Sequence, residues 1–403
     1  MTTTQPTIEQ ARPPFWRDIR VIRVVGQLAA VVVVFFLLRY FYDNLTANFE
    51  RLGISTSFDF LQSPTNFTIA YADNFDPSSP VWRMVMVGIK NTLLAGFFGI
   101  ILASIVGLIV GVSRLSENWL INKAAMVYVE VFRNIPPLVI IIFFVNAVFF
   151  FGPFPIFRES WEITFPGTDN VFLILNKDRW GIPGFTQVGN LTVFWIALAV
   201  GLVTAWFVWR IRTRSFDKTG QPHHRVLWST AVVLGFIAVG YFVAGQPFEI
   251  SWPVITEDRR LLDGGFAVNW GFISVTVALG LYTASHIAEI LRGSILAVHG
   301  GQGEAASALA LSGFQRYRFV ILPQAMRIAL PPTINQYLNL VKNTSLGTAA
   351  AYAEITALTK TSIGNGRPTL QSVIILAAVY LAISLFISLI LNIVNRRLQI
   401  ADR

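Results

Sequence analysis

Long uncharged stretches separated by shorter polar segments set the pattern of this chain. A helix that crosses a membrane needs about 20 consecutive apolar residues. Six stretches reach that length without a charge: 91–113, 134–157, 180–209, 226–248, 264–288 and 368–395. A seventh, 24–42, carries only Arg39 near its end, where a long side chain reaches the interface with its stem in hydrocarbon. An eighth is marginal. Arg327 and Lys342 bracket 14 uncharged residues, among them Pro331, Pro332, Asn335, Gln336 and Asn339. Apolar content alone leaves that segment out.

Charge distribution restores it. With eight spans and an inner N-terminus, the inner loops hold 17 basic residues and the longer outer loops hold 9. The inner set comprises Arg12, Arg17, Arg20, Arg23, Arg114, Lys123, Arg210, Arg212, Arg214, Lys218, Arg225, Arg292, Arg316, Arg318, Arg396, Arg397 and Arg403. The outer loops hold Arg158, Arg259 and Arg260, and most of the acids, such as Asp73, Asp76, Glu159, Glu162, Glu257 and Asp258. Omitting the eighth span would put Arg396 and Arg397 on the wrong side. The positive-inside rule therefore predicts about eight helices with both termini cytoplasmic. The polar residues before 24–42 and the lack of a small-residue cleavage site predict a retained anchor. The outer loops, rich in Pro, Gly, Asn and aromatics, are expected to pack as a cap against the span ends.

Composition agrees with an all-α polytopic membrane protein. Of 403 residues, 54% are hydrophobic and 13% charged, where a soluble domain carries about 25% charged residues. The net charge of +9 reads as basic cytoplasmic loops and not as a nucleic-acid surface. Cysteine is absent, which excludes disulfides, thiolate metal sites and cysteine nucleophiles. No GxxxxGK[ST] occurs, so ATP is not bound here through a P-loop. No catalytic constellation is visible, and His223 with His224 lacks a third metal ligand. An enzyme, a cofactor and a metal site are therefore not expected.

The most informative segment runs from Gly300 to Arg327. Residues 304–311 are dominated by Ala, Ser and Leu, whose small side chains let another surface approach. Ser312-Gly313 breaks that helix, and Ser312 with Gln315 fits a capping box that starts a second one. The second helix carries Arg316 and Arg318, and Pro323 is expected to end or kink it. Such a two-helix knob is not needed to fold a membrane bundle; its form suits docking.

The knob resembles the EAA loop of ABC importer permeases: Glu304-Ala305-Ala306, Ala310, Val320 and Leu322-Pro323 fall at that pattern's spacings. Ala310 replaces its usual Gly and Val320 its usual Ile. Ala at the turn implies a backbone that does not need a positive φ there. Two further segments, VEVFRNIPPL from Val129 and INQYLNLVKNTSL from Ile334, resemble signatures of polar amino-acid importers, and GIKNTLLAG from Gly88 is similar to the start of their core. The resemblance covers roughly 84–150 and 266–400 and is nearest to permeases of general L-amino-acid importers. It implies a type I permease core with a coupling loop at 303–323, of which Glu304, Ala305, Ala306, Ala310, Gly313, Val320, Leu322 and Pro323 are the coupling residues. It divides the chain into 1–83, a tail with the first span and an outer loop; 84–151, the first part of the core; 152–265, inserted loops and a two-helix hairpin; and 266–403, the second part of the core. It further implies ABC ATPase subunits, a second homologous permease, a periplasmic amino-acid-binding protein and an L-amino acid as partners, in a bacterial inner membrane. The alternative is an ion-coupled secondary transporter, which would have no use for a docking knob.

Polar groups at membrane depth are the remaining candidates. Glu130 and Arg133 lie three apart beside Pro136 and Pro137, as an anchoring ion pair or a gate. Lys90 reads as a snorkelling cation, and His286, Glu289 and Arg292 as helix-end packing with a structural pair. Asn335, Asn339, Lys342 and Asn343 form a polar stripe that must face protein or water. It suits either a path for a zwitterion or hydrogen-bonded glue between subunits.

Overall fold

The computed structural model describes residues 14, 16, 19–53, 57–69, 72, 75–156, 159–177, 179–220, 224–256 and 262–398. Arg12, Arg17, Asp73, Arg158, His223, Glu257, Asp258, Arg259, Arg260 and Arg403 lie outside the described residues, as do the side chains of Arg20, Arg396 and Arg397.

Helix α1 (Ile19–Leu52) is exposed along nearly its whole length. The core begins with α2 (Val81–Ser113), which buries a row of small residues: Gly88, Thr92, Gly96, Gly99, Ala103, Gly107 and Gly111. Helix α3 (Trp119–Asn134) follows, capped by the Asn118 side chain. Next comes α4 (Pro137–Phe143), which continues as a π-helical turn to Phe150. Together α3 and α4 form a pair bent by 104°. The bend has a local cause. Ile135 (ψ 128°) and Pro136 (ψ 138°) each precede a proline and are extended, because the next ring clashes with a helical neighbour. The apolar run at 134–157 is thus not one straight span.

The hairpin consists of α5 (Leu191–Thr219) and α6 (Arg225–Val243), which pack chiefly on each other. Short strands surround it: β1 (Trp161–Thr164), β2 (Val171–Leu175), β3 (Arg179–Ile182), β4 (Gly184–Gln187), β5 (Phe248–Ser251), β6 (Val254–Ile255), β7 (Leu262–Asp263) and β8 (Phe266–Asn269). An antiparallel sheet runs β1-β2-β3-β8, with Arg179 opposite Asn269, and β4 pairs with β5 across the hairpin's base. Two expected spans therefore begin later than their apolar runs, at Leu191 instead of 180 and at Trp270 instead of 264. Apolar content does not separate a strand from a helix start; Gly181, Pro183, Gly184 and Gly189 interrupt the first run. The strands fall into one four-stranded and two two-stranded sheets.

The centre is α7 (Trp270–Leu296), capped by the Asn269 side chain, which accepts from the Phe272 N–H at 2.6 Å. It packs on α2 so closely that a Cβ on Gly107 would lie 2.8 Å from Ile287 Cγ2. Helices α8 (Gly300–Ala308), α9 (Gly313–Arg316) and α10 (Leu322–Asn343) follow. A 3-10 turn then leads to α11 (Ile355–Gly364) and α12 (Thr369–Leu398). Among the described residues six helices are long and apolar enough to cross a membrane, and the bent pair makes up to seven. The marginal segment is a continuous helix, α10, that falls outside that count by composition and packs on α7, α12 and α2.

Candidate functional site

The knob is built from chain-local parts. Helix α8 ends in paired hydrogen bonds, Leu311 N–H to the Ala306 carbonyl at 3.2 Å and Ala310 N–H to the Ser307 carbonyl at 2.9 Å. This is a Schellman ending, which needs a left-handed residue at the turn. Ala310 supplies it, at φ +55°. The expectation that this turn avoids positive φ is therefore corrected: the geometry is glycine's, and the alanine carries a strain of about 1–2 kcal/mol.

Helix α9 starts with the expected capping box. The Ser312 N–H donates to Gln315 Oε1 at 2.9 Å, and the Gln315 N–H donates to Ser312 Oγ at 3.4 Å. It runs through a π turn (Tyr317–Ile321) directly into α10. Pro323 neither ends nor breaks this helix. It follows directly on the π turn, where the regular i to i−4 ladder is already interrupted and a missing N–H is accommodated. The knob's second helix and α10 are thus one lever.

Two side-chain bonds hold the knob shut. Arg316 Nη1 donates to Ser307 Oγ at 3.3 Å, and Gln324 Nε2 donates to Gln302 Oε1 at 3.3 Å. Ala306 faces inward, 2% exposed, so it is a packing residue of the knob and not part of an outer docking face. Glu304, Ala305, Ser307, Ala308 and Ala310 are exposed, as are Leu322 and Pro323, while Val320 is half-buried. Gly313 has open space around it. The most exposed large apolar residues of the knob are Leu309 and Phe314, at 76% and 75%.

Behind the knob lies an ion cluster. Arg292 grips Glu289 with both Nε and Nη2, the latter at 2.6 Å from Oε1. Arg114, at the end of α2, reaches Glu289 Oε2 at 3.5 Å. The pair expected on α7 is present, and Arg114 extends it across to α2. His286 stands edge-on to Tyr282 with ring centroids 4.8 Å apart. Glu130 and Arg133 form no ion pair among the described residues; Glu130 instead accepts from Asn134 Nδ2 at 3.1 Å. Both are exposed on α3, directly before the Pro136-Pro137 bend. Lys90 lines an apolar groove with Met86, Leu93, Phe97 and Ile387.

Asn335, Asn339 and Lys342 are exposed on one face of α10, whereas Thr333, Leu340 and Val341 are buried on the other. The stripe looks away from the chain's own core. Glu130 and Arg133 lie on a different element, α3, which packs on α7 and α2. Among the described residues no group of three or more His, Asp or Glu is placed to hold a metal.

One buried acid escaped sequence reasoning. Glu354 is fully buried and caps α11, accepting from the Thr356 and Ala357 N–H groups at 2.8 and 2.7 Å. Tyr380 Oη of α12 donates to it at 2.9 Å. Beside it, Tyr352 Oη donates to the Asn91 carbonyl and Asn91 Nδ2 to the Ala353 carbonyl. This ties α2, α11 and α12 together. The available signal was an acid directly before a helix-forming run.

Residues 197–400 match the family described as binding-protein-dependent transport system inner membrane component. The general L-amino acid transport system permease protein AapQ of Rhizobium johnstonii is 36% identical over 94% of this chain and 92% of its own. The putative amino-acid ABC transporter permease protein YhdX of Escherichia coli is 34% identical over 94% of both chains. The glutamate/glutamine/aspartate/asparagine transport system permease protein BztB of Rhodobacter capsulatus is 33% identical over 93% of both. A crystal structure of an amino acid ABC transporter with histidines aligns with TM-score 0.47 and 18% identity, over 78% of this chain and 94% of that one.

Proposed function

The chain belongs to the binding-protein-dependent transport system inner membrane component family, and on that premise we propose that it is the transmembrane subunit of an ATP-driven importer of polar L-amino acids. Similarity along nearly the full length of permeases named for amino-acid transport supports the substrate class. The single structural observation that carries the mechanism is the knob's unbroken continuity with α10. Separate ATPase subunits close on the knob, and Leu309 and Phe314 seat in their surface. A push there is transmitted along a stiff helix to the stripe of Asn335, Asn339 and Lys342. Lys342 offers a donor to a substrate carboxylate and the amides offer acceptors to its ammonium. A second, homologous permease covers the stripe, so that the two stripes enclose the path. A periplasmic binding protein delivers substrate at the strand-bearing end, and both termini are cytoplasmic. The bend at Pro136-Pro137 and the nearby Glu130 and Arg133 form a gate candidate.

The test uses the reconstituted assembly. Leu309→Glu with Phe314→Glu should abolish substrate-stimulated ATP hydrolysis and uptake while the permease still inserts. Lys342→Met should lower uptake at least tenfold with the assembly intact. Undiminished coupling in the first variant would remove the knob from the mechanism. Loss of the second variant's assembly would make the stripe interface glue.

A further inference from the structure

The α5–α6 hairpin carries a basic and aromatic cluster that lies outside the proposed transport path. Between Leu191 and Phe248 the sequence has five basic residues, Arg210, Arg212, Arg214, Lys218 and Arg225, and one acid, Asp217. They gather at one end. The apolar part of α5 from Leu191 to Trp209 spans roughly 28 Å at 1.5 Å per residue, about the hydrocarbon thickness. The cluster therefore sits at interfacial depth.

Its geometry is reciprocal. Arg212 of α5 lies over the Trp228 ring of α6, 4.9 Å from its centroid. Arg225 of α6 lies over the Trp209 ring of α5 at 4.7 Å. A third guanidinium, that of Arg210, stands 5.3 Å from the Trp206 ring. Stacking uses the flat face of a guanidinium and leaves its in-plane N–H donors free. None of these three arginines forms an ion pair among the described residues. The side-chain hydrogen bond in the group is a long one, from Arg225 Nη1 to Thr213 Oγ1 at 3.5 Å. Arg212 and Arg225 are half-buried, so the interlock holds two positive forks at a fixed place.

We propose that this interlock is a binding site for an anionic phospholipid, with the phosphate held by Arg212 and Arg225 and the acyl chains along the hairpin. Charge complementarity selects the headgroup: basic clusters beside membrane helices attract anionic lipid. The apolar faces select a lipid over a free anion. Val203, Phe207, Ile211, Val226 and Leu227 are each more than half exposed next to the cluster, and the rest of the chain covers little of either helix. The site is independent of the transport reading, because it requires only the hairpin.

The test is lipid retention by the purified full assembly, measured by native mass spectrometry after exchange into an equimolar phosphatidylglycerol and phosphatidylcholine mixture. Phosphatidylglycerol should be enriched, and the enrichment should fall roughly fivefold for each guanidinium removed in Arg212→Gln and Arg225→Gln. Arg51→Gln, at the far end of α1, should leave it unchanged. Inorganic phosphate should not displace the lipid; displacement would make the site a soluble-anion site and overturn the proposal. Equal retention of both lipids by the unaltered protein would also overturn it. Should the double variant not insert, the two single variants are scored in the same way, and unaltered enrichment in both overturns the site.

Discussion

Helices α7 and α6 are both apolar enough to cross a membrane, yet 67% of the apolar window of α7 is buried inside the chain and only 6% of that of α6. Hydrophobicity does not account for the difference, since lipid solvates a leucine as well as a protein core does. Small residues account for it. On α7, Gly271, Ser274, Ala278, Gly280, Ala284, Ser285 and Ala288 are buried, and Ala284 and Ala288 lie against Gly107 and Gly111 of α2. The hairpin has two such approaches, Gly201 against Phe236 and Gly240 against Ala197, and both close it on itself. Membrane helices pack where their backbones can meet, and elsewhere they face lipid.

The comparison breaks most sharply at glycine. Gly107→Leu would drive a side chain into Ile287, with the Ala284 carbonyl oxygen 3.2 Å from the new Cβ. Overpacking of this kind costs about 1–3 kcal/mol or more, so little folded assembly should be recovered in detergent. Gly235→Leu on α6 meets nothing within 4 Å and should give normal yield. Equal yields would refute the small-residue account.

Glu354→Ala should rank next. It removes the cap of α11 and one of the two partners of the Tyr380 hydroxyl, which keeps Thr356 Oγ1 at 3.1 Å, a loss of about 2 kcal/mol, read as a lowered thermal midpoint. Glu354→Gln should recover part of it through the remaining amide oxygen. At the knob, Ala310→Gly relieves the left-handed turn and should raise stability by about 1 kcal/mol, seen as slower proteolysis of the 300–323 segment. The smallest effect is expected from replacing 191–243 with a short glycine linker. Asn190 N–H already bonds the Ala244 carbonyl at 2.9 Å, and β4 with β5 closes the base. The thermal midpoint of the core should barely move; a collapse would show that the hairpin supports it.

Much of the site was legible because it is local. The capping box of Ser312 and Gln315, the polar face of α10 and the Glu289–Arg292 pair are each set by spacings of three, four or seven residues on one helix. The nature of the turn at Ala310 was misread, since an alanine does not announce a positive φ. Of the two outcomes that Pro323 offers, ending or kinking the helix, the structure excludes the first, because the helix runs on from the π turn into α10.

The sequence by itself determined the membrane class, the order of apolar helices and the two-helix knob, because hydropathy, charge and capping act over short distances along the chain. Only the tertiary structure decided which helices form the core, that Ala306 points inward, and that Arg114 meets Glu289 and Tyr380 meets Glu354. Those pairings join different helices, and that of Arg114 with Glu289 arises only when small side chains on α2 and α7 bring two backbones together. No local pattern encodes that approach.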